Sequence, residues 1–169
     1  MLLTSSNISV LANTGTIIFS DYDLYGRTRV GLHEPTHVFR FIAYDICNEK
    51  YEQCFDIIGE GNYNHNFKEV TGQGNYVKYK EEKANVLESG WWRALDFLEA
   101  SDRHVIFRAE PAVKGMGLAG FIVIQVFEGE TPDAGRICVY GNLFDKQNPS
   151  SEADADCTSN ANVKIKSVS

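Results

Sequence analysis

Short apolar runs follow one another along this chain, each ended by glycine, asparagine or a charged cluster, and apolar residues almost never recur at helical spacing. This pattern predicts strands at Ile8–Leu11, Thr16–Phe19, Thr28–Leu32, His37–Asp45, Glu52–Ile58, Asn75–Tyr79, Trp91–Leu98, His104–Ala109, Gly120–Phe127, Arg136–Tyr140 and Val163–Val168. Only Lys80–Glu88 reads as a helix, with Glu81, Glu82, Lys83 and Ala84 as helix formers and Gly90 as its stop. No strand-helix-strand alternation supports a parallel sheet. The chain is expected to be all-β.

Two of these segments carry apolar residues on both parities. His37–Asp45 offers Phe39, Phe41 and Ala43 on one face and Val38, Ile42 and Tyr44 on the other; Gly120–Phe127 sets Phe121 and Val123 against Ile122, Ile124 and Val126. Such strands belong where a sheet is covered on both sides. Others alternate, as in Val105, Phe107 and Ala109. Many short strands with turns at this spacing predict a two-sheet antiparallel β-sandwich of jelly-roll type, in one domain spanning residues 1–169.

The 169 residues suffice for a core that needs no metal to fold. A net charge of −7 repels phosphate backbones and anionic surfaces, so nucleic acid is excluded as an expected partner. The longest apolar stretch, Gly117–Phe127, is well short of the roughly 20 residues that cross a bilayer, so no membrane insertion is expected. The first residues, Met1 to Asn7, lack the basic region and apolar run of a signal peptide. Asn7-Ile8-Ser9 forms a glycosylation sequon.

Four cysteines permit three pairings, and none lies in a zinc or redox C-x-x-C spacing. Six residues separate Cys47 from Cys54, so the two can oppose each other across a hairpin centred on Lys50-Tyr51, where facing Cα atoms lie about 4.5 Å apart. Cys138 then joins Cys157. Two disulfides imply an oxidising, extracellular compartment.

Several motifs match catalytic or metal signatures in letter only. His33-Glu34-Pro35-Thr36-His37 satisfies H-E-x-x-H, yet the zinc site needs a helix; in an extended chain its histidines stand about 13 Å apart. A turn between strands is expected there. Gly115-Met116-Gly117-Leu118-Ala119-Gly120 spells G-x-G-x-x-G but leads into a strand, so it reads as a hairpin connection. Asp21-Tyr22-Asp23-Leu24-Tyr25-Gly26 opens like a calcium loop but has Leu32 where the bidentate Glu belongs; Asp21 and Asp23 could hold Ca2+ only between sandwich loops, with Glu152, Asp154 or Asp156. No nucleophile elbow or Cys-His signature appears, and no catalytic role is expected.

Recognition is better provided for. Gly59–Phe67 mixes amides and aromatics in an expected loop, making Asn62, Tyr63, Asn64 and His65 candidate ligand-binding residues. Trp91 and Trp92 point to opposite faces of a strand. Trp91 is a candidate platform, although a strand covered on both sides buries both.

From Trp91 onward the chain resembles the MAM domain, an extracellular jelly-roll adhesion module. The resemblance is carried by Trp92-Arg93-Ala94-Leu95-Asp96-Phe97-Leu98, by His104-Val105-Ile106-Phe107-Arg108-Ala109-Glu110, by Gly117-Leu118-Ala119-Gly120-Phe121-Ile122-Val123-Ile124, and by Cys138; His37–Ala43 is similar to that family's central apolar strand. It implies adhesion or recognition rather than catalysis.

The sequence thus predicts a non-catalytic, secreted module that binds a protein or glycan through loops, with no cofactor beyond calcium. A second expectation, from a different class, is a structural subunit of a virion, filament or surface layer. The tail Val163–Val168 alternates like an edge strand, with Lys164 and Lys166 guarding it, which leaves self-association open.

Overall fold

The computed structural model describes residues 36–48, 52–80, 83, 85–114, 117–118, 120–141 and 155–168. Its strands are β1 (Thr36–Asn48), β2 (Gln53–Asn64), β3 (Glu69–Lys80), β4 (Val86–Ala100), β5 (His104–Val113), β6 (Gly117–Leu118), β7 (Ile122–Phe127), β8 (Gly135–Gly141) and β9 (Asp156–Val168). Apart from β6, which pairs only with the end of β5, each strand pairs antiparallel with its neighbours in the order β4-β3-β2-β1-β9-β8-β7-β5, and β5 returns to β4. The ring closes. The architecture is an eight-stranded up-and-down barrel.

This corrects the expected jelly-roll sandwich. The decisive pairing is β1 with β9, which runs from Thr36 opposite Val168 to Ile42 opposite Asn162 and joins the first and last described strands. The tail is therefore not a free edge, because Val163 to Val168 all face β1 partners. The described residues of the expected helix, Lys80, Lys83 and Asn85 to Glu88, are not helical either. Lys80 ends β3 and Val86–Glu88 begin β4, and the only helical turn among the described residues is a 3-10 turn at Pro132–Ala134. Residues 59–64 of the expected recognition loop belong to β2. The segments Ile8–Leu11, Thr16–Phe19 and Thr28–Leu32, and the calcium candidates Asp21 and Asp23, lie outside the described residues.

The interior is packed with side chains from alternate positions of every long strand. Phe39, Phe41, Phe55, Ile57, Trp92, Phe107, Ile122, Ile124, Ile137 and Val163 all contribute to one buried cluster. At its centre the Trp92 indole stacks near Phe41, with centroids 5.9 Å apart, and tilts against Phe107 at 5.6 Å. Its Nε1–H donates to the Ile58 carbonyl oxygen at 3.0 Å, so the one polar atom of the ring is satisfied. Room for these rings comes from glycines paired across β2 and β3, Gly59 with Gly74 and Gly61 with Gly72. A Cβ on Gly59 would stand 2.0 Å from the Trp92 ring, and one on Gly61 or Gly72 would press on Phe39.

The strands read as covered on both sides are so only in part: Val38 on β1 and Val123 and Gln125 on β7 point away from the interior set yet are buried, whereas Tyr44 and Phe121 are exposed. The expected hairpin bridge forms, with Cys47 opposite Cys54, bonded, and Cα atoms 4.0 Å apart. Cys138 and Cys157 likewise face each other across β8 and β9 and are bonded, which leaves no free cysteine. Each bridge pins the register of neighbouring strands. Two disulfides are the mark of an oxidising environment.

Candidate functional site

Chemistry-bearing side chains gather at the barrel end where β1 starts, β2 stops and β4 turns into β5. An unbroken ladder counted back from Cys47 opposite Cys54 would place His37 opposite Asn64. A bulge between Ala43 and Ile46, with Asp45 at φ 56°, shifts the register, and His37 faces Tyr63 instead. The two rings stack, with centroids 4.9 Å apart and planes 9° from parallel.

β4 pairs with β3 only as far as Arg93, then continues to Ala100 beside β5 alone. Irregularities at Ala94/Asp96 and Phe97/Glu99 bend this overhanging hairpin, and Phe97 and Ala100 pack against the core. Its tip thereby crosses the barrel mouth past β3 to reach β2 and β1. There the Tyr63 hydroxyl donates to the Ser101 carbonyl oxygen at 2.6 Å, and Asp102 Oδ1 lies 3.2 Å from His37 Nε2. Ser101 is fixed in turn. Its N–H donates to the His104 carbonyl oxygen at 2.9 Å, its Oγ accepts from the Arg103 N–H at 3.1 Å, and it meets His104 Nδ1 at 2.7 Å. His104 Nε2 then contacts Glu99 Oε1 at 3.0 Å. This chain of contacts braces the tip.

His65, the first residue of the β2–β3 turn, completes the group with its ring 6.0 Å from that of His37. One donor atom from each of His37, His65 and Asp102 lies within 4.8 Å of the others. His37 is buried and Asp102 is 83% exposed, so the cluster runs from the barrel end to solvent. Burial lowers the His37 pKa, and the nearby His65 acts in the same direction against the pull of Asp102. Burial, with the charges of Asp102 and Glu128, pushes the Tyr63 pKa far above its ordinary value. Both shifts favour the neutral form of the ring.

The candidates named from sequence are placed as follows. Tyr63 is buried and serves as a brace and a stacking surface. Asn64 is buried, and its Oδ1 accepts from the N–H groups of Asn66 at 3.0 Å and Phe67 at 3.1 Å, shaping the turn that carries His65. Asn62 Oδ1 accepts from the Thr71 hydroxyl at 3.0 Å. Of this group His65 supplies a donor atom to the mouth cluster, and Tyr63 supports it by stacking on His37. Trp92 is in the core but Trp91 is half exposed, so the expectation that both are buried fails for Trp91. Trp91 stands on the outer wall between Asn75 and Ala112.

That wall is the second feature. Leu87, Trp91, Leu95 and Leu98 lie exposed along the outer face of β4. Interleaved with them are two ion pairs to β5, Arg93 with Glu110 and Asp96 with Arg108. Sequence reasoning missed His37, set aside with its H-E-x-x-H motif, and Asp102, which shows there only as part of a polar turn.

No protein-family model matches the chain, and no match was found among curated proteins or solved structures.

Proposed function

We propose that this protein is an extracellular recognition module that binds a protein partner through the outer wall of β4. The observation that carries the reading is the exposed stripe of Leu87, Trp91, Leu95 and Leu98. Three of its four members are aliphatic, a composition that suits an apolar protein surface better than the stacking face of a sugar. The Arg93–Glu110 and Asp96–Arg108 pairs alternate with these residues along β4 and add the polar contacts that a protein interface also carries. The closed ring offers no long free edge, so the partner engages side chains rather than adding a strand.

Two disulfides support a secreted setting. No helix of the described residues is long and apolar enough to cross a membrane. The apolar interior and ion-paired outer wall also reverse the pattern of a membrane-spanning barrel, whose lumen is polar and whose outside is apolar. Adhesion, the role implied by the MAM-like segments, accords with the same wall.

The test is a screen of the labelled protein against an array of extracellular proteins and, in parallel, an array of glycans, comparing the native chain with Trp91→Ala and Leu95→Glu. Saturable binding to a protein that both substitutions abolish supports the proposal. Binding to glycans alone, or protein binding that survives both changes, overturns it, as does silence on both arrays.

A further inference from the structure

We infer that His37, His65 and Asp102 form a binding site for a divalent transition-metal ion, of which zinc is the best fit. Two imidazoles and one carboxylate are a donor set that zinc accepts readily, whereas calcium requires a shell of oxygens. Bonds of about 2.0–2.1 Å place neighbouring tetrahedral ligands roughly 3.3–3.4 Å apart. His37 Nε2 and Asp102 Oδ1 already stand 3.2 Å from each other. A small movement of the turn carrying His65 brings the third donor into range, since all three lie within 4.8 Å.

A second observation argues that these groups are not merely a hydrogen-bonded cluster. The Nδ1 atom of His65 is buried and has no hydrogen-bond partner among the described residues. A buried imidazole nitrogen left in this way is costly, and an ion bound there would satisfy it, whereas the unpartnered Nδ1 of His37 lies on the other side of its ring from the nitrogen that meets Asp102 and takes no part. The surroundings are built to hold the donors in place. Tyr63 stacks on His37, its hydroxyl fixes the tip that presents Asp102, and Asn64 shapes the turn that presents His65. Exposure of Asp102 leaves the remaining coordination positions open to water.

The ligands come from β1, the β2–β3 turn and the β4–β5 tip, so a bound ion would tie the overhanging hairpin to the mouth. Binding therefore has a stability readout as well as a direct one.

The experiment is calorimetric titration of zinc chloride into chelator-treated protein, with His65→Ala, Asp102→Asn and the control Asp96→Asn, which removes an exposed carboxylate from the outer wall. Thermal melts with and without zinc accompany it, and circular dichroism checks that each variant is folded. The expected result is one ion per chain, affinity at least tenfold weaker in His65→Ala and in Asp102→Asn, native affinity in Asp96→Asn, and a melting point raised by zinc in the native chain. Absence of saturable binding overturns the inference. Binding that persists at native strength in both folded site variants, which marks dispersed surface carboxylates, overturns it too.

Discussion

The phenol of Tyr63 on β2 donates its hydroxyl hydrogen to the carbonyl oxygen of Ser101, at the tip of the β4–β5 hairpin, across 2.6 Å. This one bond joins the rim of the barrel to the segment that overhangs it. It places Asp102 beside His37 while the same ring supports the His37 imidazole.

Tyr63→Phe removes that bond and keeps the stacked ring. The expected cost is about 1 kcal/mol, the net worth of one hydrogen bond, read as a lower denaturation midpoint at unchanged slope. Zinc affinity should fall severalfold, because Asp102 is no longer held near His37. Native affinity in this variant would mean that the tip is positioned by its other contacts.

The glycine window gives a contrast between two similar substitutions. A Cβ at Gly59 meets only side-chain atoms, those of Trp92 and Phe41, whereas a Cβ at Gly74 also meets the Ile58 carbonyl oxygen at 1.9 Å. Overpacking of this kind typically costs about 1–3 kcal/mol. Gly59→Ala combined with Trp92→Leu should therefore cost clearly less than the sum of the two single changes, while Gly74→Ala with Trp92→Leu gains much less relief. Denaturation of both double-mutant cycles checks this, and equal coupling in the two would remove the distinction.

Thiol labelling of the unreduced, denatured chain should find no reactive thiol, because all four cysteines are bridged. Replacing each pair by alanine should be unequal in effect. The chain-entropy relation assigns about 2.5 kcal/mol to the short loop closed by Cys47–Cys54 and about 3.3 kcal/mol to the longer one closed by Cys138–Cys157. The order of the two melting points checks the relation.

Alkaline titration reports on three buried phenols. Burial raises the pKa of Tyr63, Tyr76 and Tyr79, helped by neighbouring carboxylates: Asp102 and Glu128, Glu88, and Asp45 with Asp56, respectively. A phenol whose folded pKa is raised above its unfolded value of about 10 contributes its full stability below that pH and loses it as pH rises further. Stability should therefore fall steeply above about pH 10. Tyrosinate absorbance should show a group of residues that ionise only on unfolding, and a single transition at the ordinary phenol pKa would contradict their burial.

Much of the wall was legible in the sequence, and its closure was not. Phe39, Phe41 and Ala43 alternate in the same way whether a strand lies in a sandwich or a barrel, because both demand an inward face of period two. What distinguishes them is the β1–β9 pairing, a contact between distant segments that leaves no local pattern. The Cys47–Cys54 bridge was readable because a short hairpin fixes its own register. Beyond it, the bulge at Asp45 changes every partner, which hid the stacking of His37 on Tyr63. Gly59 and Gly61 suggested a loop by the ordinary turn rule, yet they sit inside β2 to admit Phe39 and Trp92. The helix expected to run on to Glu88 rested on local propensity, whereas Val86 to Glu88 pair with β3 as strand.

The closed ring is tested most directly by interstrand nuclear Overhauser effects in the isotopically labelled protein. Backbone proton contacts are expected between Phe39 and Ile165 and between Phe41 and Val163, alongside those joining Gly59 to Gly74. A well-dispersed spectrum in which β9 shows contacts to β8 but none to β1 would contradict the barrel and leave the strands as an open sheet.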